Sequence, residues 1–453
     1  MSIFATNIAR LVYHGAVETT RPVLVFAAIL AWGCAEDPVS VPAMTDAAPR
    51  TIGDAVFAPS DADEQGGDAD DASGDAGLSM DDAAPAMLFD AGQSLDPGCG
   101  PGLDPEADRV VLIGYPFGPR PGVNGQDISG MTLRNGQTLL NNGMRLDVGD
   151  RPVRIVFVPW GRFALVLGEA GTLTSVATPS AGDLAIIDTV PMPNLGSAEL
   201  VLSPDGRRVH VLRTDVDEGG GVYTVEVGCD GTLTPLPMHF SLRLVQGFGH
   251  VPGRPDTAVL VGGQAVFEPI DDDDIRLLRW GVEGWTQVAA FDVFSDFIDA
   301  GAIGFSGDGR LVVVPNGAPF SEEGGQVSVL ALEADQLTEV ARLRDMVDAR
   351  QARFAPDGTT LLLSRFEPGR MTIFRAEAGG LTQTDELVAP LADHFAFVRG
   401  GTDEGRVVVP SIHPVNGPQI IVMRVTAPGA VIEEQTLLLG PGAQQIPGAV
   451  GVQ

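Results

Sequence analysis

Asp393 and His394 stand side by side in Pro-Leu-Ala-Asp-His-Phe. A carboxylate next to an imidazole is a simple apparatus for moving a proton near neutral pH. Arg350 and Arg151 occupy comparable positions ahead of other strand patterns, where a guanidinium can hold a small anion. The catalytic expectation is therefore general acid/base work on a small molecule by His394, Asp393, Arg350 and Arg151. The competing expectation is that these groups, with Arg243, Asp299 and Asp348, neutralise one another and hold water.

A second constellation is acidic. Asp215, Asp217, Glu218, Glu268, Asp271, Asp272, Asp273, Asp274, Glu322, Glu323 and Glu367 fall in the longer loops between strand patterns. Within it Asp215, Asp217 and Asp271 to Asp274 are candidates for a ligand or a hard cation such as calcium. Four adjacent aspartates, however, cannot all converge on one ion. The other expectations are a solvated acidic rim or a basic partner docked on it. No two histidines have metal-ligand spacing, and neither a nucleophile elbow nor a CxxC is present. His210, His239 and His250 lie inside strand patterns and read as packed or hydrogen-bonded residues.

Composition narrows the chemistry further. The 453 residues carry a formal charge of −32, and all 28 basic residues are arginine. A lysine Schiff base, a lysine nucleophile and a phosphate-loop lysine are thereby excluded. The acidity argues against nucleic acid as a partner. No organic cofactor is implied.

The elements that must position these residues are strands. Ala198–Leu212 reads as an alternating strand, a Ser-Pro-Asp-Gly turn and a second alternating strand, a β-hairpin. The device returns at Ser306-Gly-Asp-Gly309 and Ala355-Pro-Asp-Gly358, with weaker copies at positions 158, 251 and 398. The six turns are 45, 48, 55, 49 and 43 residues apart, close to the period of a four-stranded propeller blade. Six repeats leave a remainder at each end. If Gln445–Gln453 supplies the first strand of the blade containing Arg109–Phe117, the ring closes without free edges. The expectation is an all-β, seven-bladed propeller over 109–453, closed by the C-terminal strand. Its other blades begin near 152, 197, 244, 300, 350 and 394. In that geometry Arg151, Arg350, Asp393 and His394 border the channel mouth, and the acidic loops share the same face.

The phrases LVLSPDGRRVHVL, IGFSGDGRLVVV and ARFAPDGTTLLL resemble the repeats of lactonase-like (YVTN-type) and TolB-type β-propellers. The resemblance implies the propeller fold. It also implies a group in which enzymes opening sugar or muconate lactones coexist with surface proteins of no known activity. The His/Arg/Glu set of those enzymes cannot be matched to positions here. The functional expectation is a non-enzymatic binding or scaffold module at the cell envelope, taking a protein or small ligand on its acidic top face. The alternative is a lactonase-like hydrolase at the channel mouth.

The first hundred residues place the propeller. Residues 1–34 read as a bacterial export signal, with an apolar run from Val23 ending at Gly33-Cys34, where Cys34 would be lipidated. Residues 35–108 hold eighteen acidic residues against Arg50, a net charge of −17, and read as a disordered tether. An exported, lipid-anchored monomer is expected, touching the membrane only through its anchor. Cys99 and Cys229 are then one possible disulfide pair.

Overall fold

In the computed structural model, the residues described are 99, 104, 106–115, 126–134, 138–160, 162–178, 183–192, 199–214, 220–262, 273–294, 300–317, 325–366, 369–377, 380–390, 392–413, 415–439 and 449–453. Among them no helix occurs. Twenty-eight strands form seven antiparallel four-stranded sheets.

Six of the blades are consecutive in sequence. They span Pro152–Pro191, Leu200–Ser241, Gly247–Phe291, Gly304–Leu343, Ala349–Val388 and Ala396–Leu438, and are numbered two to seven. Blade one is composite. Its innermost strand is Ala449–Val452, which pairs antiparallel with Arg109–Gly114 in the register Gly114↔Ala449 to Val111↔Val452. The C-terminal strand thus closes the ring, as the unmatched strand patterns at the two ends require.

Burial explains why the pattern reads as it does. The second strand of each blade is covered on both faces by neighbouring blades, so it is a continuous apolar run. Phe163–Gly168 is buried throughout, whereas the outermost strand Ala185–Pro191 is largely exposed. The apolar residues fall into seven clusters, one at each interface between adjacent blades. Each fully buried Val or Leu contributes roughly 1.5–3 kcal/mol, and most of those contacts are between blades, so no blade is stable alone.

The hairpin turns use their side chains as the sequence implies. In Ser203-Pro-Asp-Gly206 the Gly206 N–H donates to the Ser203 carbonyl at 2.8 Å, and Gly206 takes φ 72°. Ser203 Oγ donates to Asp205 and accepts from the Arg208 N–H at 2.9 Å. Ser306 and Asp308 repeat the arrangement. Turns also clasp the next blade: Trp160 Nε1–H donates to the Asp205 carbonyl at 2.9 Å.

Cys99 and Cys229 are joined in a disulfide with Cα atoms 4.9 Å apart. Cys229 lies in the turn after Gly221–Val227, and Cys99 packs against the cluster between blades two and three. Closing so long a loop contributes about 2–4 kcal/mol in the chain-entropy account. Cys34 and the apolar run before it lie outside the described residues.

Candidate functional site

Each innermost strand ends at a residue that opens a turn: Val158, Ser203, Val251, Ser306, Ala355 and Val398. Four residues before each opener, the repeat places one side chain at the same level of the central channel. Those residues are Arg154, Glu199, Gly247, Ala302, Gln351 and His394. Blades two, three, six and seven therefore put a charged or polar group there, while blades four and five put almost nothing. Arg353, two residues beyond Gln351, adds a second guanidinium where the matching residues are Val156, Val201, Gly249, Gly304 and Ala396.

These groups line a small recess opening into the channel. Arg154, Glu199, Gln351, Arg353 and His394 face it, with Ile155, Phe395 and Val450 as apolar walls. Arg154 Nε donates to Glu199 Oε2 at 2.9 Å, tying blade two to blade three. Gln351 clamps blade seven: its Oε1 accepts from the Phe395 N–H at 2.8 Å and its Nε2 donates to the Phe395 carbonyl at 3.4 Å. His394 Nε2 lies 2.9 Å from Asp393 Oδ2, an ion-pair contact without aligned hydrogen-bond geometry.

The recess sets ionised carboxylates against guanidiniums. Burial alone would raise Glu199, but Arg154, His394 and Arg353 outweigh it and hold its carboxyl below the usual range. Burial also opposes ionisation of Asp393; contact with His394, with help from Arg154 and Arg350, wins and holds it far below the usual range. Its side chain is 44% exposed. Burial pushes the Arg353 guanidinium down to about 10; Glu199 opposes this, while Arg399 and Arg154 add to it. Arg353 has no ion pair of its own among the described residues. A chain of net charge −32 thus keeps in its channel a guanidinium with no ion pair among the described residues.

The four residues expected to do chemistry separate. His394 lines the recess and Asp393 touches it. Arg350 is held by Asp348 at 2.6 Å and acts on the recess through its charge on Asp393. Arg151 is turned to Glu169 at 2.5 Å and lines no part of the recess. Arg154, Glu199, Gln351 and Arg353 were not singled out in the sequence. Counting four residues back from each turn would have found the first three.

Of the acidic candidates, Asp215, Asp217, Asp271 and Asp272 lie outside the described residues. Asp273 is exposed, but Asp274 does not belong to a solvated acidic run. Its side chain is fully buried and accepts the N–H groups of Val293 and Phe294 at 2.9 and 2.7 Å. Burial raises it to about 7 against those bonds. It ties its strand to the segment that follows Phe291. Among the described residues no three or more His, Cys, Asp or Glu are grouped to hold a metal.

No protein-family model and no curated protein matches the sequence. Solved structures do match. A candidate 6-phosphogluconolactonase from Bacteroides uniformis aligns at TM-score 0.60 and 16% identity, over 76% of this chain and 99% of that one. The periplasmic gluconolactonase of Pseudomonas aeruginosa aligns at TM-score 0.60 and 19% identity, with the same coverage. A protein from Lactobacillus plantarum aligns at 0.59 and 15%, again over 76% and 99%. At these identities the likeness is one of architecture. The chain has the seven-bladed β-propeller fold of lactonase-like proteins.

Proposed function

We propose that the channel recess binds a small, oxygen-rich molecule with a carbonyl or carboxylate, and that its reaction is the hydrolytic opening of a sugar-type lactone. The observation that carries this reading is the convergence of Arg154, Arg353, Glu199 and the Asp393–His394 pair from four blades on one recess. The neighbours described as gluconolactonases support the reaction class.

The chemistry follows from the side chains. Arg353, with no ion pair among the described residues, takes the carbonyl oxygen of the lactone, and Arg154 backs it while held by Glu199. His394 accepts a proton as water attacks the carbonyl carbon, and Asp393 stabilises the imidazolium that forms. The tetrahedral oxyanion rests on the guanidinium charge. Its collapse breaks the ring C–O bond, and His394 returns the proton to the leaving alkoxide. The product is a hydroxy acid whose carboxylate remains opposite Arg353.

Binding without catalysis is the second reading, and the clamps favour it. Gln351 and Arg154 are already engaged in joining blades, so the ring has a structural role whatever it binds. The Cys99–Cys229 disulfide supports passage through an oxidising compartment. We accordingly keep export, lipidation at Cys34 and an envelope location as part of the proposal, with a macromolecular partner on the acidic loops as the scaffold alternative.

The test is hydrolysis of a panel of δ- and γ-sugar lactones by the purified chain, followed by proton release. Turnover that His394→Gln abolishes supports the enzymatic reading. Absence of turnover across the panel, with the hydroxy acids still bound, leaves the binding module. Neither turnover nor binding rejects the recess as a ligand site.

A further inference from the structure

Blade six holds the Asp393–His394 pair from both flanks, and it carries a buried acid, Asp348, that the proposed reaction does not use. Gln351 bonds both backbone groups of Phe395, the residue after His394, at 2.8 and 3.4 Å. Ser364, fully buried on Thr360–Arg365, donates its hydroxyl to the Asp393 carbonyl at 3.4 Å. The backbone of the pair is thereby fixed against blade six. The residue before Gln351 is Arg350, whose Nε lies 2.6 Å from Asp348 Oδ1, and the Asp348 side chain is only 7% exposed.

The backbone of Asp348 separates scaffold from chemistry. Its φ is 56°, in the left-handed region that residues other than glycine seldom occupy. Leu244 takes φ 48° seven residues before the turn opener Val251, the register that Asp348 has before Ala355. The left-handed residue is therefore a device of blade entry, and a leucine serves it. The fold alone does not call for an acid there. What the acid does is hold Arg350.

Asp393 meets two cationic groups. Burial opposes its ionisation, and the charges of His394, Arg154 and Arg350 outweigh that burial. With Arg350 drawn onto Asp348, the direct contact to Asp393 goes to His394, 2.9 Å from its Oδ2. We propose that Asp348 is a positioning residue that, by holding Arg350, leaves the Asp393 carboxylate to His394 and so sets how readily the imidazole takes a proton. Its role in turnover rests on the hydrolytic reading of the recess; its hold on the pair does not. Removing the Asp348 charge acts in one direction by two routes. Arg350 is left uncompensated beside the pair, which disfavours imidazolium, and its guanidinium is free to draw Asp393 away from His394, which disfavours it again. The other charges facing the pair are Glu199 from blade three, which favours imidazolium, and Arg154 and Arg353 from blades two and six, which oppose it. The substitution leaves all three in place.

The test uses the full chain with its disulfide intact, as the parent, Asp348→Asn, Arg350→Gln and the double variant. Asparagine keeps the size of the side chain and tolerates a left-handed backbone. Two quantities are followed against pH: the His394 ring signal by NMR, assigned by its loss in His394→Gln, and the acid limb of kcat/KM for lactone hydrolysis. In Asp348→Asn both should move to lower pH, by about half a pH unit or more. In Arg350→Gln both should move to higher pH. Adding Asp348→Asn to that variant should lower them less than half as far as it does in the parent, because the guanidinium through which Asp348 acts is gone. The proposal is overturned if the ring signal titrates alike in the parent and Asp348→Asn, or if the shift is as large without Arg350. It is also overturned if the ring signal moves while the acid limb of an active chain stays. A moved ring signal in a chain that opens no lactone upholds the hold on the pair and rejects the hydrolytic reading alone. Thermal unfolding checks that each variant is folded. If Asp348→Asn is not, Arg350→Gln carries the test, and an unmoved ring signal there overturns the proposal.

Discussion

The two halves of the channel wall are built differently at the same position of the repeat. Blades six, seven, two and three present Gln351, His394, Arg154 and Glu199, and side-chain bonds join them to their neighbours. Blades four and five present Gly247 and Ala302, and there the backbones themselves come together. Ala302 forms a parallel bridge with Gln351, and the Ala352 N–H donates to the Ala302 carbonyl at 2.9 Å. A Cβ on Gly301 would lie 1.3 Å from the Arg350 carbonyl oxygen. One half is closed by main chain and admits no side chain; the other is held open by polar groups. The recess lies against the open half.

The largest effect should come from breaking the closed half. Gly301→Val forces a side chain into backbone that cannot yield, so the chain should fail to fold or lose more than about 5 kcal/mol by denaturant unfolding. Next is Glu199→Ala in the open half, which leaves Arg154 and Arg353 without their counter-charge. It should cost about 3–5 kcal/mol, whereas Arg154→Met should cost less, because Glu199 keeps Arg353 nearby.

The blade three to four interface sharpens the contrast, because burial there outweighs the single carboxylate, Asp205, that favours a charged His250. Burial lowers both His210 and His250, the latter to about 4 from an ordinary value near 6.5. Between those values the unfolded chain binds more protons, so stability should fall as pH drops from 6.5 towards 4, by on the order of 3 kcal/mol for His250. His250→Phe should flatten that slope; an unchanged slope places the protons elsewhere. The smallest effect is Gly247→Ala, whose methyl would meet the Gly301 oxygen at 2.9 Å and Ile303 at 3.0 Å. It should cost about 1–3 kcal/mol through overpacking, and no loss would mean that the closed half is looser than described.

The architecture was legible because a propeller repeats its turn chemistry. Pro204, Gly206, Gly309 and Gly358 mark hairpins in any context, and their spacing sets the blade. The unmatched strands at the two ends could be joined for the same reason. The recess was half legible. Asp393 and His394 stand out because adjacent acid and imidazole are rare. Arg154 and Arg353 do not, since inside strand patterns they look like ordinary exposed arginines. Asp274 misled for the opposite reason: a run of four aspartates reads as solvated, but the last begins a strand and its carboxylate is needed by Val293 and Phe294. The histidine pair was invisible as a pair, because the forty residues between His210 and His250 meet only when two blades stack.

Arg353, which has no ion pair among the described residues, is the guanidinium of the open half on which the proposed reaction depends. The decisive measurement is kcat/KM for lactone hydrolysis in Arg353→Met beside the parent chain, with thermal unfolding measured on both. Loss of the charge that receives the oxyanion predicts a fall of about 10²-fold or more at little change in stability. A kcat/KM within twofold of the parent would contradict the assignment of the channel recess as the active site.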